Sequence, residues 1–313
     1  MGKKINEVKA EKRTDDGYNL SIKNDVIFKA VFGRDNEDCK TLLIYLLNLI
    51  LKREKDPIVD IEYKNPFEIR EYVDDKETIL DIKVTTNSGE IIDLEIQLIN
   101  SNYLTRRMVR YHAGLIHDSL KKGDPYGKMK ETISIWIVDD VIFNGTENFF
   151  SEFYFIEKEK GFMLDTITRI CCIELPKVNR GDCLVRDMTP LEVCLEFIKC
   201  ANESGSHYVD SLMEAGGKEL YMAYEMLKKA TADEILREKA IAREKFQMDV
   251  FSAIEDAKMI AEEKGRAEGR AVGDAEGQRK KSLEIASKLK AMGLSVEQIA
   301  EGTGLTKDEI EKL

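Results

Sequence analysis

Two runs in the first third of the chain alternate apolar and polar side chains with a period of two. They are Ile79-Leu80-Asp81-Ile82-Lys83-Val84-Thr85-Thr86 and Glu90-Ile91-Ile92-Asp93-Leu94-Glu95-Ile96-Gln97-Leu98, and Asn87-Ser88-Gly89 separates them. Such alternation marks strands with one apolar face. A three-residue loop ending in Gly marks a hairpin, because its third position takes a positive φ. The loop sets the register, with Thr86 opposite Glu90 and Asp81 opposite Glu95. Leu80, Ile82 and Val84 then share a face with Ile92, Leu94, Ile96 and Leu98. Asp81, Lys83, Asp93, Glu95 and Gln97 share the other.

The pattern elsewhere switches between helix and strand periods. A short helix is predicted over Asp25 to Phe32, with Asn24 as N-cap and Gly33 as stop. An apolar helix is predicted over Asp38 to Lys52 and a strand over Ile58 to Tyr63. After the hairpin come a helix from Tyr103 to Lys122, ended by Gly123-Asp124-Pro125, and a strand from Thr132 to Val138 carrying the single Trp136. Glu152 to Ile156 and Ile167 to Leu175 are β-rich, and Pro190 to Asn202 reads as a helix. Strands, then a helix, then a strand predict an α/β fold with a mixed sheet and helices on its covered face.

The pattern changes near residue 205. From Gly217 to Ala291 the chain is rich in Ala, Glu, Lys and Arg and has no Pro, the composition of a long helix or coiled coil. Gly265, Gly269, Gly273 and Gly277 recur there every four residues, with Ala267, Ala271 and Ala275 between them. Each Gly costs about 1 kcal/mol of helix propensity relative to Ala. The stripe reads either as a hinge or as a surface for close helix contact. Ser295 with Gln298, and Thr306 with Glu309, form capping-box patterns. They predict helices over Val296 to Glu301 and Lys307 to Leu313, after one over Leu283 to Met292. This resembles a helix-turn-helix, but acids beside Lys307 and Lys312 favour a small dimerisation or docking module. The expected division is a polar arm over 1–20, a core domain over 21–216, a long charged helical region over 217–292 and a helical module over 293–313.

Composition narrows the partners. The 313 residues carry a net charge of −11, which argues against a globally basic nucleic-acid binder but leaves room for a local basic groove. The longest apolar run, Leu42 to Leu51, is interrupted by Tyr45 and Asn48, so no membrane span is expected. The charged start has no apolar signal core, and a cytoplasmic location is expected. None of the six cysteines forms a C-x-x-C pair, and the three histidines do not cluster with them. Reduced, mostly buried thiols are therefore expected rather than a zinc site. There is no Walker loop, no dinucleotide fingerprint and no nucleophile elbow.

The hairpin carries the candidate chemistry. Carboxylates opposite each other across roughly 5 Å repel, and a hard divalent cation such as Mg²⁺ would turn that repulsion into a binding site. Asp81 and Glu95 would be ligands, with the Ile96 carbonyl as a third oxygen and Asp25 completing the shell. Gln97 can orient a water by hydrogen bonds but brings no positive charge. A cation so held suits phosphodiester hydrolysis, whose transition state gathers negative charge on the phosphorane and leaving oxygens. The next helix carries Arg106, Arg107, Arg110 and Tyr111. Arg107 and Tyr111 lie four apart on one face, and guanidinium groups suit bidentate phosphate contact. The same residues also fit a solvated strand face and a helix that uses Arg for solubility. His112 and His117, five apart, are poorly spaced for a joint metal site, and His207 stands alone; all three read as packing or surface residues.

Taken in order, several stretches resemble the recombination-promoting nucleases, also described as PD-(D/E)XK nuclease family transposases. They are Asn24-Asp25-Val26-Ile27-Phe28-Lys29-Ala30-Val31-Phe32, Ile79-Leu80-Asp81-Ile82-Lys83, Leu94-Glu95-Ile96-Gln97, Arg107-Met108-Val109-Arg110-Tyr111 and Lys122-Gly123-Asp124-Pro125-Tyr126. The likeness covers about residues 20–240. It implies a restriction-endonuclease-like mixed sheet flanked by helices and metal-dependent DNA cleavage tied to recombination. It also implies Asp81 and Glu95 as metal ligands, with Gln97 in place of the motif's usual Lys. A homo-oligomer formed through the C-terminal helical region is the expected assembly. The rival reading is a catalytically degenerate nuclease fold acting as an oligomeric interaction or DNA-binding module. An RNA-directed nuclease is a weaker alternative, since no single-strand stacking platform is evident.

Overall fold

Six strands form one sheet in the order β1-β2-β3-β4-β6-β5 in the computed structural model, which describes residues 20–65, 82–98, 103–178, 183–203 and 205–313. The strands are β1 (Ile61–Tyr63), β2 (Ile82–Thr86), β3 (Ile91–Gln97), β4 (Thr132–Val138), β5 (Phe150–Phe153) and β6 (Thr168–Glu174). The helices are α1 (Asp25–Phe32), α2 (Glu37–Ile50), α3 (Leu104–Asp118), α4 (Pro190–Cys200), α5 (His207–Ala232), α6 (Glu234–Ala291), α7 (Val296–Thr303) and α8 (Lys307–Glu311). The predicted strand residues Ile79, Leu80 and Asp81 lie outside the described residues, as does the 1–19 part of the expected arm.

The hairpin between β2 and β3 has the register that the Gly89 loop predicts. Ile82 pairs with Leu94, Lys83 with Asp93 and Val84 with Ile92. Thr86 N–H donates to Glu90 O at 2.9 Å, and Gly89 takes φ 87°. The β3–β4 and β4–β6 pairs are parallel; the β1–β2, β2–β3 and β5–β6 pairs are antiparallel. A parallel neighbour requires a crossover, and α3 is the one between β3 and β4.

That crossover corrects the expectation of one covered face, because helices lie on both. Ile82, Ile92, Leu94, Ile133, Ile135 and Ile173 face the main core, shared with residues of α1, α2, α4 and α5. The opposite face carries Trp136, Val138 and Cys172, packed with Leu104 and Met108 of α3. β3 is consequently buried on both sides, although its polar residues alternate as on a solvated strand. Smaller differences are end effects: β1 begins at Ile61 rather than Ile58, and β5 spans Phe150–Phe153 rather than 152–156. All six cysteines are free thiols, five of them buried and Cys183 exposed.

Two local devices lie at and after the end of β6. Glu174, at the end of β6, and Lys177 form a buried ion pair at 2.6 Å. Glu174 Oε1 also accepts from the Ile142 and Phe143 N–H groups, and Lys177 Nζ donates to Phe143 O. Both charges are thus satisfied, which burial requires. The start of α4 carries a capping box between Thr189 and Glu192, readable in Thr189-Pro190-Leu191-Glu192.

The chain divides into Met1–Gln247 and Met248–Leu313. The first unit runs past the composition change near 205 because α5 packs against α1, α2 and α4. The long C-terminal helix expected in the stretch from Gly217 is present as α6, of 58 residues, and it begins only after a break. Gly217 has φ 65° inside α5, and α6 restarts after Asp233, whose side chain accepts from Leu236 N–H. In the second unit, Ala286 packs with Ile299 of α7 and Leu305 and Ile310 beside and within α8. Both anticipated capping boxes are present, at Ser295/Gln298 and Thr306/Glu309.

Lys177→Met strands the Glu174 carboxylate in the interior, and urea unfolding should show a loss of about 3–5 kcal/mol. Thr189→Ala removes only a cap and should cost about 1 kcal/mol in the same assay. Equal losses from the two variants would contradict this ordering.

Candidate active site

β3 delivers Glu95 and Gln97 to the face covered by α3. Glu95 is 2 % exposed and pairs across the parallel ladder with Trp136 of β4. A carboxylate at that depth requires a cationic or hydrogen-bonding partner. Arg107, in the first turn of α3, provides one: its Nη2 donates to Glu95 Oε1 at 2.6 Å. Its Nη1 donates to Gln97 Oε1 at 3.0 Å. The guanidinium also lies over two rings, 5.0 Å from the Tyr111 centroid and 5.7 Å from that of Trp136. The two rings are 5.9 Å apart. The helix spacing that puts Arg107 and Tyr111 on one face thus closes a cluster with the strand pair Glu95 and Trp136. The Arg107 Nε and the Trp136 indole N–H are buried and have no hydrogen-bond acceptor among the described residues.

Lys83 and Asp93, directly opposite each other on β2 and β3, continue this face. They line a cleft of about 260 Å³ with Arg110, Tyr111, Gly114, Leu115 and Asp118. Arg110 and Arg106 are exposed, and the Arg106 guanidinium sits 5.3 Å from the Tyr103 ring. The basic helix therefore divides its arginines, with Arg107 turned inward to the strand and Arg106 and Arg110 toward solvent.

Asp25 is buried at the start of α1, which packs against β3. Its carboxylate accepts from Arg243 Nε of α6 at 2.6 Å and from Val26 N–H. The N-cap Asn24 donates its amide to Ala240 O at 3.0 Å. Lys23 pairs with Asp139 at 2.6 Å, and Asp139 N–H donates to Gln97 O. Sequence reasoning overlooked Asp139, Lys23 and Arg243. Asp139 follows the last residue of β4, and the carboxyl ends of parallel strands are where α/β sheets place their sites, so that signal was available. The Arg243 pairing spans 218 positions and leaves no local trace.

Glu95 and Gln97 present carboxylate and amide oxygens, the kind of ligand a hard cation such as Mg²⁺ takes, and Arg107 engages both. Among the described residues, no group of three or more His, Cys, Asp or Glu side chains is arranged to hold a metal. Ile96 keeps its side chain in the main core and pairs with Ile137. Asp81, expected as the second carboxylate, lies outside the described residues.

A family model described as PD-(D/E)XK nuclease family transposase matches residues 22–257. The chain belongs to this family. The match takes in all six strands, the basic helix and the start of α6. The mixed sheet flanked by helices, with a long C-terminal helix, is consistent with the restriction-endonuclease-like fold of PD-(D/E)XK proteins. Membership associates the chain with nuclease and transposase chemistry. No curated protein and no solved structure matches it. No helix among the described residues is long and apolar enough to cross a membrane.

On the same face of this PD-(D/E)XK sheet, His112 of α3 is buried between hydroxyls. Nδ1 meets Ser134 Oγ at 2.8 Å, Nε2 meets Thr168 Oγ1, and Thr132 Oγ1 donates to Thr168 Oγ1. A neutral ring, with one donor and one acceptor nitrogen, satisfies this arrangement. Burial pushes the His112 pKa down from 6.5 to about 4. Between those values the unfolded chain takes up a proton that the folded chain does not. Stability should therefore fall as pH drops from about 6.5 to about 4, by about 3 kcal/mol, and this contribution should flatten below that. Comparing denaturation of the parent and His112→Gln across this range isolates the contribution; parallel curves would refute it.

Proposed function

We propose that this protein is a metal-dependent DNA endonuclease acting in recombination or transposition-like processes. The observation that carries the reading is the buried Glu95 carboxylate, held beside Gln97 on a register-defined strand within the family-matched region. Asp81 and Glu95 are the proposed ligands for Mg²⁺ or another divalent cation, with the Ile96 carbonyl as a further oxygen. A cation held there would supply positive charge for the phosphorane oxygens and would make a nearby water more acidic. In the reaction, water adds to phosphorus and the bond to the leaving sugar oxygen breaks. The attacking water loses a proton, and the leaving oxygen gains one.

Each chain residue has a part in that scheme. Gln97 orients the water, and Asp25, next to Asn24 at the α1 cap, belongs to the acidic set that completes the site. Arg107 and Tyr111 support the Glu95 side, while exposed Arg106 and Arg110 hold flanking DNA phosphates. These contacts carry no base readout, so little sequence preference is expected. The proposed setting is the cytoplasm, with the C-terminal helical region assembling a homo-oligomer. The 21–216 core, 217–292 helical region and 293–313 module remain the proposed functional divisions.

Two observations favour a second reading, a degenerate nuclease fold that binds DNA or partners without cutting. Glu95 is engaged by an arginine, and the strand carries Gln97 rather than a cation.

Supercoiled plasmid incubated with the protein and Mg²⁺ should be nicked, and EDTA, Asp81→Ala or Glu95→Ala should abolish nicking. Persistence in both variants removes this mechanism, and an inert parent in Mg²⁺ or Mn²⁺ favours the second reading. Arg106→Ala and Arg110→Ala should weaken binding similarly across DNA sequences, each lowering the salt slope by about 1. Loss confined to one sequence would argue for base readout instead.

A further inference from the structure

We propose that Arg107 supplies the fixed positive charge of the catalytic centre, from the helix rather than from the strand that bears the carboxylate. The inference rests on the nuclease reading above and gives that site a specific division of labour. Hydrolysis of a phosphodiester builds negative charge that a preorganised cation stabilises most effectively in a water-poor site. The strand itself brings none there, because Gln97 is neutral at every pH. The guanidinium of Arg107 spans the two side chains that matter, Glu95 at 2.6 Å and Gln97 at 3.0 Å. Contacts with the Tyr111 and Trp136 rings hold it in place. Its neighbours Arg106 and Arg110 face solvent on the same helix, so the inward placement belongs to one arginine and not to the basic helix as a whole.

The geometry separates two roles that a surface arginine would combine. A phosphate clamp keeps its donors turned outward for the ligand. Arg107 instead commits both terminal nitrogens to the protein, and its Nε has no acceptor among the described residues. It is therefore a charge held at fixed position beside the proposed metal ligand. That placement has an electrostatic consequence: a cation entering at Glu95 is repelled by Arg107. Removing Arg107 should tighten divalent binding while slowing cleavage. Losing a mere scaffold for Glu95 would weaken both.

The test uses the full chain as parent, Arg107→Ala, and Arg107→Ala combined with Gln97→Lys, which moves the charge from helix to strand. Mn²⁺ affinity is measured by calorimetry without DNA, and plasmid nicking is measured in Mg²⁺. Arg107→Ala should cut nicking at least about 100-fold and tighten Mn²⁺ binding several-fold. The double variant should recover at least about tenfold in nicking and return Mn²⁺ affinity toward the parent, as a relocated charge must. Circular dichroism confirms that each variant folds. If the parent nicks but Gln97→Lys recovers nothing, or Arg107→Ala weakens Mn²⁺ binding, the charge assignment is overturned and Arg107 is a structural brace. If the parent does not nick in any divalent cation, the nuclease reading itself fails.

Discussion

A carboxylate buried at the centre of a sheet governs this architecture. Glu95 sits on a strand covered on both faces, where an isolated charge would be strongly disfavoured. Arg107 answers that demand, and doing so fixes where α3 must lie. The crossover helix is pinned over the β3–β4 pair by the same contact that centres the candidate site. Trp136 and Tyr111 complete the arrangement by flanking the guanidinium. Fold and candidate site thus share one interaction instead of occupying separate parts of the molecule.

The hairpin, its register and the caps of α1, α7 and α8 were legible because each follows from local chemistry. A Gly at positive φ and a short polar side chain before a helix act within a few residues. The burial of the Asp93–Glu95–Gln97 face was not legible. Strict alternation ordinarily means one solvated side, and only the parallel pairing of β3 with β4 brings a helix over it. The inward turn of Arg107 was hidden for the same reason. Sequence places four aromatic or basic donors on one helix, but which of them meets the strand depends on how the helix docks. The break between α5 and α6 was also obscured, since Asp233 is one acid among many in a charged tract.

The His112 hydroxyl network and the Glu174–Lys177 pair show how the rest of that second face tolerates polarity. His112 bonds hydroxyls from two strands, and Glu174 bonds Lys177, so these buried polar groups carry partners of their own. Such matching lets a strand with polar side chains run between two layers of helices.

The latch that ties the segment from Leu20 to Asp25 to the end of α5 and the start of α6 has a bearing on how the protein is made. Leu20 N–H reaches Thr231, Asn24 reaches Ala240 and Asp25 reaches Arg243, each across more than 200 positions of the chain. Contacts so distant in sequence form late. During synthesis the acid-bearing first helix emerges long before its clasp does, and it acquires that clasp only when nearly 250 residues have left the ribosome. A chain interrupted earlier would carry the hairpin but an unfastened first helix, so the order of translation itself sets when this corner of the fold closes.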